Sequence, residues 1–238
     1  KIRIGGTRAF KQGLVEVQDE GSQIVAALVG AGPGMTVVDF CAGAGGKTLA
    51  LAAAMNQRGK TAGRLIACDT SQMRLDRMTA RLTRAGAGDV ERIALEDETV
   101  PALRRFANAA DRVLLDVPCS ASGAWRRDPL GKWRLRPEQL DQLVASQQRI
   151  LAAAARLVRP GGWLVYATCS ILPEENEAQV AAFLDLHNEF QIVPIARIWS
   201  ETLGGTPPIP DQFLRLTPAA HGTDGFFAAV LERGSPRG

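Results

Sequence analysis

The chain has 238 residues, of which 46% are hydrophobic and 22% are charged, and its formal net charge is +3. This length is enough for one large domain, or one domain with a small appendage, and for a buried core. No apolar run is long enough to span a membrane, no signal peptide is visible, and the four cysteines lie too far apart for a zinc site. We therefore expect a cytoplasmic monomer with reduced thiols and no metal. The small positive charge permits nucleic-acid binding without requiring it. The chain begins at Lys1 rather than at Met, so we expect that a segment has been removed upstream.

Residues 1–34 are predicted to form an N-terminal extension that packs on the rest of the chain. Residues 1–18 alternate apolar and polar side chains around glycines, which predicts a short hairpin or edge strand. From Asp19 the apolar spacing becomes helical, and the glycines and proline from Gly30 onward end this helix.

Residues 35–238 alternate short apolar strands with helices, which predicts one α/β domain. The predicted strands are 36–40, 64–69, 91–95, 112–116, 163–170, 191–195 and 225–233. The predicted helices are 47–57, 71–84, 137–158 and 173–186, the last with glutamates in its first turn, where the helix dipole favours acids. This alternation predicts a mostly parallel seven-stranded sheet, covered on both faces, with an antiparallel last strand. Ligands of such sheets bind beyond the carboxyl ends of the strands.

The glycine-rich stretch DFCAGAGGKT, residues 39–48, has three interpretations. A phosphate-binding loop requires glycine where Cys41 stands, but an acid after an apolar strand, Asp116, keeps a P-loop NTPase open as an alternative. A dinucleotide loop requires glycine where Thr48 stands. An S-adenosylmethionine (SAM) site requires an acid after each of the first two strands, and Asp39 and Asp69 supply them, the second for the ribose hydroxyls. The loop alone favours SAM only slightly.

Two cysteine motifs, DVPCS at 116–120 and ATCS at 167–170, favour the third interpretation. Each places a cysteine just beyond a parallel strand, on the side of the sheet where ligands bind. A free cysteine is usually a small buried hydrophobe. Cys119 and Cys169 differ because both lie beside polar residues, and Cys169 shortly precedes a helix whose N-terminal dipole would lower the pKa of a thiol.

Eight motifs occur in order along nearly the whole chain: QDEGSQ, DFCAGAGGKT, LLDVPCSASG, RRDP, KWR, YATCS, PEENE and HGTDGFF. Together they resemble the catalytic domain of the NOL/Sun (Sun/Fmu) family of RNA cytosine-5 methyltransferases. The resemblance implies a Rossmann-like, SAM-dependent methyltransferase fold. Ala44 stands where this family usually has proline, which predicts a slightly looser loop.

The resemblance also implies a reaction and a role for several residues. Cys169 would attack C6 of cytosine, Cys119 would assist release of the methylated product, and Asp116 would hold the N3/N4 edge of the base. The methyl group of SAM would pass to C5, leaving S-adenosylhomocysteine. The predicted SAM contacts are Asp39, Cys41, Ala42, Gly43, Ala44, Gly45, Gly46, Lys47, Asp69, Arg74, Asp97 and Asp116. Asp97 is chosen from three consecutive acids, 96–98, as the contact to adenine.

The basic segment WRRDPLGKWRLR, residues 125–136, follows the first cysteine motif and predicts contacts with RNA phosphates and bases. The predicted RNA contacts are Arg126, Arg127, Lys132 and Arg134. The target base must be single-stranded or flipped out of its stack. We expect 16S ribosomal RNA, because QDEGSQ and HGTDGFF resemble the bacterial small-subunit branch of the family. Transfer RNA remains an alternative, as do a P-loop NTPase and an RNA-binding assembly factor without activity.

Overall fold

A computed structural model describes residues 3–57, 60–96, 101–207 and 211–235. The strands of its main sheet are β1 Thr36–Asp39, β2 Arg64–Asp69, β3 Glu91–Ala94, β4 Ala110–Asp116, β5 Val158–Thr168, β6 Phe190–Val193, β7 Leu214–Leu216 and β8 Phe226–Arg233. Two short strands, Asn56–Gln57 and Lys60–Thr61, pair separately. The main sheet runs in the order β3-β2-β1-β4-β5-β8-β6, and β7 pairs with β8 outside this path. Strands β1 to β5 are parallel to one another, whereas β8 is antiparallel to β5, β6 and β7. The prediction of a mostly parallel sheet with an antiparallel last strand is confirmed, but the sheet has eight strands rather than seven, because β7 also pairs with β8.

Helices cover both faces of this sheet. They are α1 Glu20–Leu28, α2 Gly46–Ala54, α3 Gln72–Arg84, α4 Pro137–Ala155, α5 Glu177–Leu186 and α6 Ile195–Thr202. Successive strand residues point to opposite faces, so Val37 joins a core with α1, α2, α3 and α6, while Val38 joins a second core with α4 and α5. Since Val25 and Leu28 of α1 belong to the first core, the N-terminal helix is built into the same layer as α2. Within the described residues, no helix has the length and apolarity needed to cross a bilayer.

The hairpin predicted for residues 1–18 is wrong. Residues 3–19 contain no strand, and instead form a 3-10 turn at Ile4–Gly6 and a helical turn at Arg8–Lys11. The Thr7 hydroxyl accepts a hydrogen bond from the Phe10 amide at 3.2 Å and caps this turn. A local cap therefore outweighs the alternating pattern, which has no neighbouring strand to pair with.

Three helix boundaries also differ from the predictions. The helix predicted over residues 47–57 ends at Ala54. The helix predicted to end at Val158 ends at Ala155, because Val158 already pairs with Ala110 as the first residue of β5. The segment predicted as one helix from Pro173 begins with a 3-10 turn, and α5 starts only at Glu177. Strand β7 and helix α6 lie in segments for which no element was predicted.

Candidate active site

Two adjoining cavities lie beyond the carboxyl ends of β1, β2, β4 and β5. The larger has a volume of about 580 Å³ and the smaller about 410 Å³. Four residues line both: Cys41, Gly43, Asp116 and Cys169. This is the edge of the sheet at which parallel α/β folds bind their ligands.

The glycine loop forms the floor between the cavities and leads into α2. The Gly43 amide donates to Asp69 Oδ2 at 2.9 Å, which ties the loop to the end of β2. Gly43 and Gly45 have φ values of 56° and 85°, a region that favours glycine. A Cβ at Gly45 would lie 2.4 Å from the buried Met78 Cγ, whereas a Cβ at Gly43 would meet open space. The backbone at Gly43 is therefore bare on the side where a ligand can approach. Arg81 donates to the Ala44 carbonyl and fixes the position at which the family usually has proline.

Asp39 ends β1 and is fully buried. Its Oδ2 accepts a hydrogen bond from the Thr48 hydroxyl at 2.6 Å, but Oδ1 has no hydrogen-bond partner among the described residues. Burial, reinforced by the charge of Asp116, raises the pKa of Asp39 to about 7, although the Thr48 hydrogen bond opposes the shift. Since Asp39 lines the smaller cavity, its free oxygen suits a ligand that brings an ammonium group.

Asp69 ends β2 and lines the larger cavity. Its Oδ1 accepts from the Ser71 amide at 2.8 Å, and its Oδ2 accepts from the Gly43 amide. Each carboxylate oxygen keeps a second lone pair, which suits the two hydroxyls of a ribose. The predicted contact Arg74 lines the same cavity, with its Nη1 3.7 Å from Asp69 Oδ1. Asp97 lies outside the described residues.

Lys47, in the first turn of α2, is 7% exposed, so it is not an ordinary surface lysine. Its Nζ lies 2.7 Å from Asp116 Oδ2 at the end of β4, and 5.3 Å from the centre of the Phe226 ring. A P-loop requires its lysine to contact phosphates. Here the lysine is bound to the acid that the NTPase interpretation would assign to magnesium, so the geometry gives that interpretation no support.

The two predicted cysteines meet at the boundary of the larger cavity. Cys119 Sγ lies 3.4 Å from Cys169 Sγ. The hydrogen bond from Cys119 lowers the pKa of Cys169, against the opposing effect of burial, and the same bond together with burial raises the pKa of Cys119 well above its ordinary value. Within the pair, Cys169 therefore loses its proton before Cys119 does. The dipole of the following helix was expected to lower the pKa of Cys169, but α5 starts only at Glu177, and the largest cause of the shift is the Cys119 hydrogen bond.

Arg126, predicted to contact RNA, is exposed but is tied to two acids of the protein. Its Nε donates to Asp224 Oδ1 at 2.7 Å, and its Nη2 lies 3.4 Å from Asp19 Oδ2. The Asp224 amide also donates to Asp19 Oδ2 at 3.2 Å. Asp224 is fully buried, so this network joins the RRDP, QDEGSQ and HGTDGFF motifs into one structural unit. RNA contact by Arg126 stays a prediction.

The other predicted RNA contacts lie around the cavities. Arg127 forms an ion pair with Asp224 and lines the smaller cavity. Lys132 lies over the exposed Trp133 ring, 4.9 Å from its centre. Arg134 lines a third cavity, of about 430 Å³, whose wall also includes Cys119. The basic segment is thus placed beside the cysteine pair, although its contact with RNA stays a prediction.

The structural role of the acids in the PEENE motif was not predicted from the sequence. Their position indicates an interaction with the helix dipole, but Glu175 is fully buried and its carboxylate accepts hydrogen bonds from Ser120. The sequence feature that could have shown this is the presence of a third glutamate in the motif, since one or two acids are enough to interact favourably with the helix dipole. No group of three or more His, Cys, Asp or Glu side chains in the described part of the chain is arranged to hold a metal ion.

Comparison with known proteins places this site in a family. The family described as 16S rRNA methyltransferase RsmB/F matches residues 27–232. The probable ribosomal RNA small subunit methyltransferase B of Synechocystis sp. is 36% identical over 98% of this chain and 52% of its own. The ribosomal RNA small subunit methyltransferase B of Salmonella arizonae is 39% identical over 93% of this chain and 48% of its own. NSun6 from Pyrococcus horikoshii, solved with SFG, is 27% identical with a TM-score of 0.80, over 99% of this chain and 57% of its own.

The chain spans about half the length of the curated relatives that it matches. The resemblance inferred from the eight motifs is confirmed by the family match, and the predicted Rossmann-like methyltransferase fold by the similar solved structure.

Proposed function

The chain belongs to the 16S rRNA methyltransferase RsmB/F family, and from that premise we propose that it transfers the methyl group of SAM to C5 of a cytosine in RNA. The transfer proceeds through a transient covalent bond between Cys169 and C6 of the base. The proposed substrate is 16S ribosomal RNA, because the curated relatives are named as methyltransferases of the small ribosomal subunit. The proposed location is the cytoplasm, where bacterial ribosomal RNA is modified.

The cavity residues fit SAM. The open space at Gly43 lets the loop backbone approach a ligand, and Asp69 has lone pairs for the ribose hydroxyls. The unpartnered Asp39 Oδ1 suits the ammonium of the methionine portion. A relative was solved with SFG, a SAM analogue. When bound, SAM supplies an electrophilic methyl group on a sulfonium.

Cys169 provides the nucleophile that the chemistry requires. C5 of cytosine is too electron-poor to accept a methyl group unaided, but addition of a thiolate to C6 makes C5 nucleophilic. The lowered pKa of Cys169 increases its thiolate fraction near neutral pH. Asp116 holds the N3/N4 edge of the base, where its carboxylate accepts a hydrogen bond from the N4 amino group and orients the ring for attack. The ion pair with Lys47 fixes the direction of the Asp116 carboxylate.

Cys119 completes the reaction. After methyl transfer, a water molecule takes the proton from C5, the C5–H electron pair forms the C5–C6 double bond, and the bond between C6 and Cys169 breaks with its electron pair returning to the sulfur. Cys119 keeps its proton while Cys169 is a thiolate, and lies within hydrogen-bond distance of it. Its thiol therefore assists release of the methylated base.

The observation that carries this proposal is the 3.4 Å contact between the two thiols, whose pKa values are shifted in opposite directions. The contact lies at the cavity that Asp69 and Gly43 also line. The test is methyl incorporation from tritiated SAM into unmodified 16S ribosomal RNA, with unmodified transfer RNA as the competing substrate. We expect Cys169→Ala to abolish incorporation and Cys68→Ala, at a buried cysteine away from the cavities, to retain it. Undiminished incorporation by Cys169→Ala would refute the nucleophile, and incorporation into transfer RNA alone would refute the proposed substrate.

A further inference from the structure

Glu175 fixes the loop that carries Cys119. It is fully buried, and its Oε1 accepts hydrogen bonds from the Ser120 amide at 2.8 Å and from Gln147 Nε2 at 3.0 Å. Its Oε2 accepts from the Ser120 hydroxyl at 2.5 Å. Gln147 also donates to the Pro118 carbonyl at 2.9 Å. The carboxylate thus holds the chain on both sides of Cys119, directly at the following residue and through Gln147 at the preceding one.

Asn176, the next residue, fixes the loop that carries Cys169. Its Oδ1 accepts from the Thr168 hydroxyl at 2.6 Å, and its Nδ2 donates to the Ser170 carbonyl at 3.0 Å. Asn176 is buried, and its two partners are the residues immediately before and after Cys169. Two consecutive side chains therefore form hydrogen bonds with different cysteine loops, Glu175 with the loop of Cys119 and Asn176 with the loop of Cys169.

We propose that Glu175 and Asn176 are positioning residues with separate tasks: Glu175 places Cys119 for release of the product, and Asn176 places Cys169 for attack on the base. This inference rests on the proposed function. A hydrogen bond between thiols 3.4 Å apart is sensitive to small displacements of either loop. The two loops are also joined by hydrogen bonds from Ser120 Oγ and Ser122 Oγ to Ser170 Oγ, at 3.2 and 2.9 Å, and from the Gly123 amide to the Cys169 carbonyl at 2.9 Å. A misplacement of about 1 Å in such a site costs up to about 100-fold in rate.

Loss of the Glu175 hydrogen bonds and loss of the Asn176 hydrogen bonds are expected to slow different steps of the reaction. Removing the Glu175 carboxylate frees the Cys119 loop, so we expect breakdown of the protein–RNA adduct to slow and the adduct to accumulate, as we also expect when Cys119 itself is removed. Replacing Asn176 by Asp puts an oxygen opposite the Ser170 carbonyl, which repels the loop and displaces Cys169. Adduct formation then slows and no adduct accumulates.

The experiment is a single-turnover reaction of the full chain with SAM and 16S ribosomal RNA, followed by measurement of methylated product and of adduct on a denaturing gel. The variants are Glu175→Ala and Asn176→Asp, with the exposed neighbours Glu174→Ala and Asn188→Asp as matched controls. Because Glu175→Ala leaves a buried cavity, Gln147→Met is a second variant that loosens the same loop at Pro118 while preserving side-chain volume. Cys119→Ala and Cys169→Ala set the two reference behaviours.

We expect adduct breakdown to slow by about 10-fold or more in Glu175→Ala, and in the same direction in Gln147→Met, with adduct formation reduced much less. We expect adduct formation to slow by a similar factor in Asn176→Asp. The same defect in both sets of variants, or the defects exchanged, would overturn the division of tasks. If Cys119→Ala traps no adduct and the unaltered chain methylates no RNA, the proposed function itself fails, and the positioning roles fall with it.

Discussion

Lys47 Nζ lies 2.7 Å from Asp116 Oδ2, and this ion pair connects the glycine loop to the strand that leads to Cys119. Both charges also act on Cys169, whose pKa is raised by Asp116 and lowered by Lys47. They act beside the larger effects of the Cys119 hydrogen bond and of burial, and so shift the pH at which the nucleophile is ionised.

Lys47→Met is therefore expected to raise the pKa of Cys169, because the charge of Asp116 is no longer countered. The acidic limb of the pH profile of kcat/KM should move to higher pH, since a thiolate must form before attack. The rate of alkylation of Cys169 by iodoacetamide as a function of pH, followed by mass spectrometry, measures the shift directly. Lys47→Arg keeps the charge and should leave the midpoint near that of the unaltered chain. An unchanged midpoint in Lys47→Met would contradict the electrostatic role of this lysine.

Asp39 predicts a dependence of stability on pH. Its pKa is raised from 3.8 to about 7 in the folded state, mainly by burial. The folded chain therefore binds this proton more tightly than the unfolded chain. Protonated Asp39 makes its full contribution to the free energy of unfolding below about pH 4, and this contribution is lost as the pH rises to about 7. The amide of Asp39→Asn does not ionise, so this loss of stability does not occur, and its oxygen can still accept the hydrogen bond from the Thr48 hydroxyl. Its free energy of unfolding should exceed that of the unaltered chain by on the order of 2 kcal/mol at pH 8 and by little at pH 4.

The same Asp39→Asn substitution should weaken SAM binding by about 10-fold, because the neutral amide attracts an ammonium less than a carboxylate does. Denaturant unfolding at the two pH values and calorimetry with SAM measure the two effects. A variant that is less stable than the unaltered chain at pH 8, or that binds SAM equally well, would contradict the assignment.

Gly43→Ala and Gly45→Ala form a matched pair within one loop. At Gly43 the added methyl group enters open space at the cavities, so we expect a loss of about 1 kcal/mol from the positive φ and at least about 10-fold weaker SAM binding. At Gly45 the methyl group meets the buried Met78, so we expect a larger loss, of about 3 kcal/mol, in the free energy of unfolding. Thermal unfolding and calorimetry distinguish the two. Full SAM affinity in Gly43→Ala would remove this backbone from the ligand site.

Arg126→Ala and Lys132→Ala separate structure from RNA binding. Arg126 is one of two cations paired with the buried Asp224, so its removal should lower the free energy of unfolding by about 2–3 kcal/mol. Lys132 is exposed, and its removal should weaken RNA binding and reduce the dependence of binding on salt without changing stability. Denaturant unfolding and RNA binding at two salt concentrations measure both. If Arg126→Ala is as stable as the unaltered chain but binds RNA poorly, the structural role is contradicted and Arg126 is an RNA contact instead.

The sheet could be predicted because its strands are continuous apolar runs separated by helices, a pattern with few alternative folds. The ends of those strands then located Asp39, Asp69, Asp116 and Cys169 at one edge of the sheet. The N-terminal hairpin could not be excluded from the sequence, since its alternating pattern is real and only the Thr7 cap and the lack of a partner strand decide against it.

The structural role of Arg126 and the buried position of Glu175 were out of reach for a different reason. Both depend on partners far away in the sequence, Asp224 for one and Ser120 for the other, and neither pairing leaves a local pattern. The lowered pKa of Cys169 was expected from the dipole of the following helix, but its largest cause is a thiol on the loop after β4. Sequence position gives the residue, whereas the cause of its reactivity requires the fold.

The most direct measurement is mass spectrometric mapping of the adduct formed by Cys119→Ala with SAM and 16S ribosomal RNA. We expect a methylated cytidine nucleotide attached to the peptide that contains Cys169, and no such peptide from the double variant with Cys169→Ala. A nucleotide attached to any other residue, or a Cys119→Ala variant that methylates RNA normally and forms no adduct, would contradict the assignment of the two thiols.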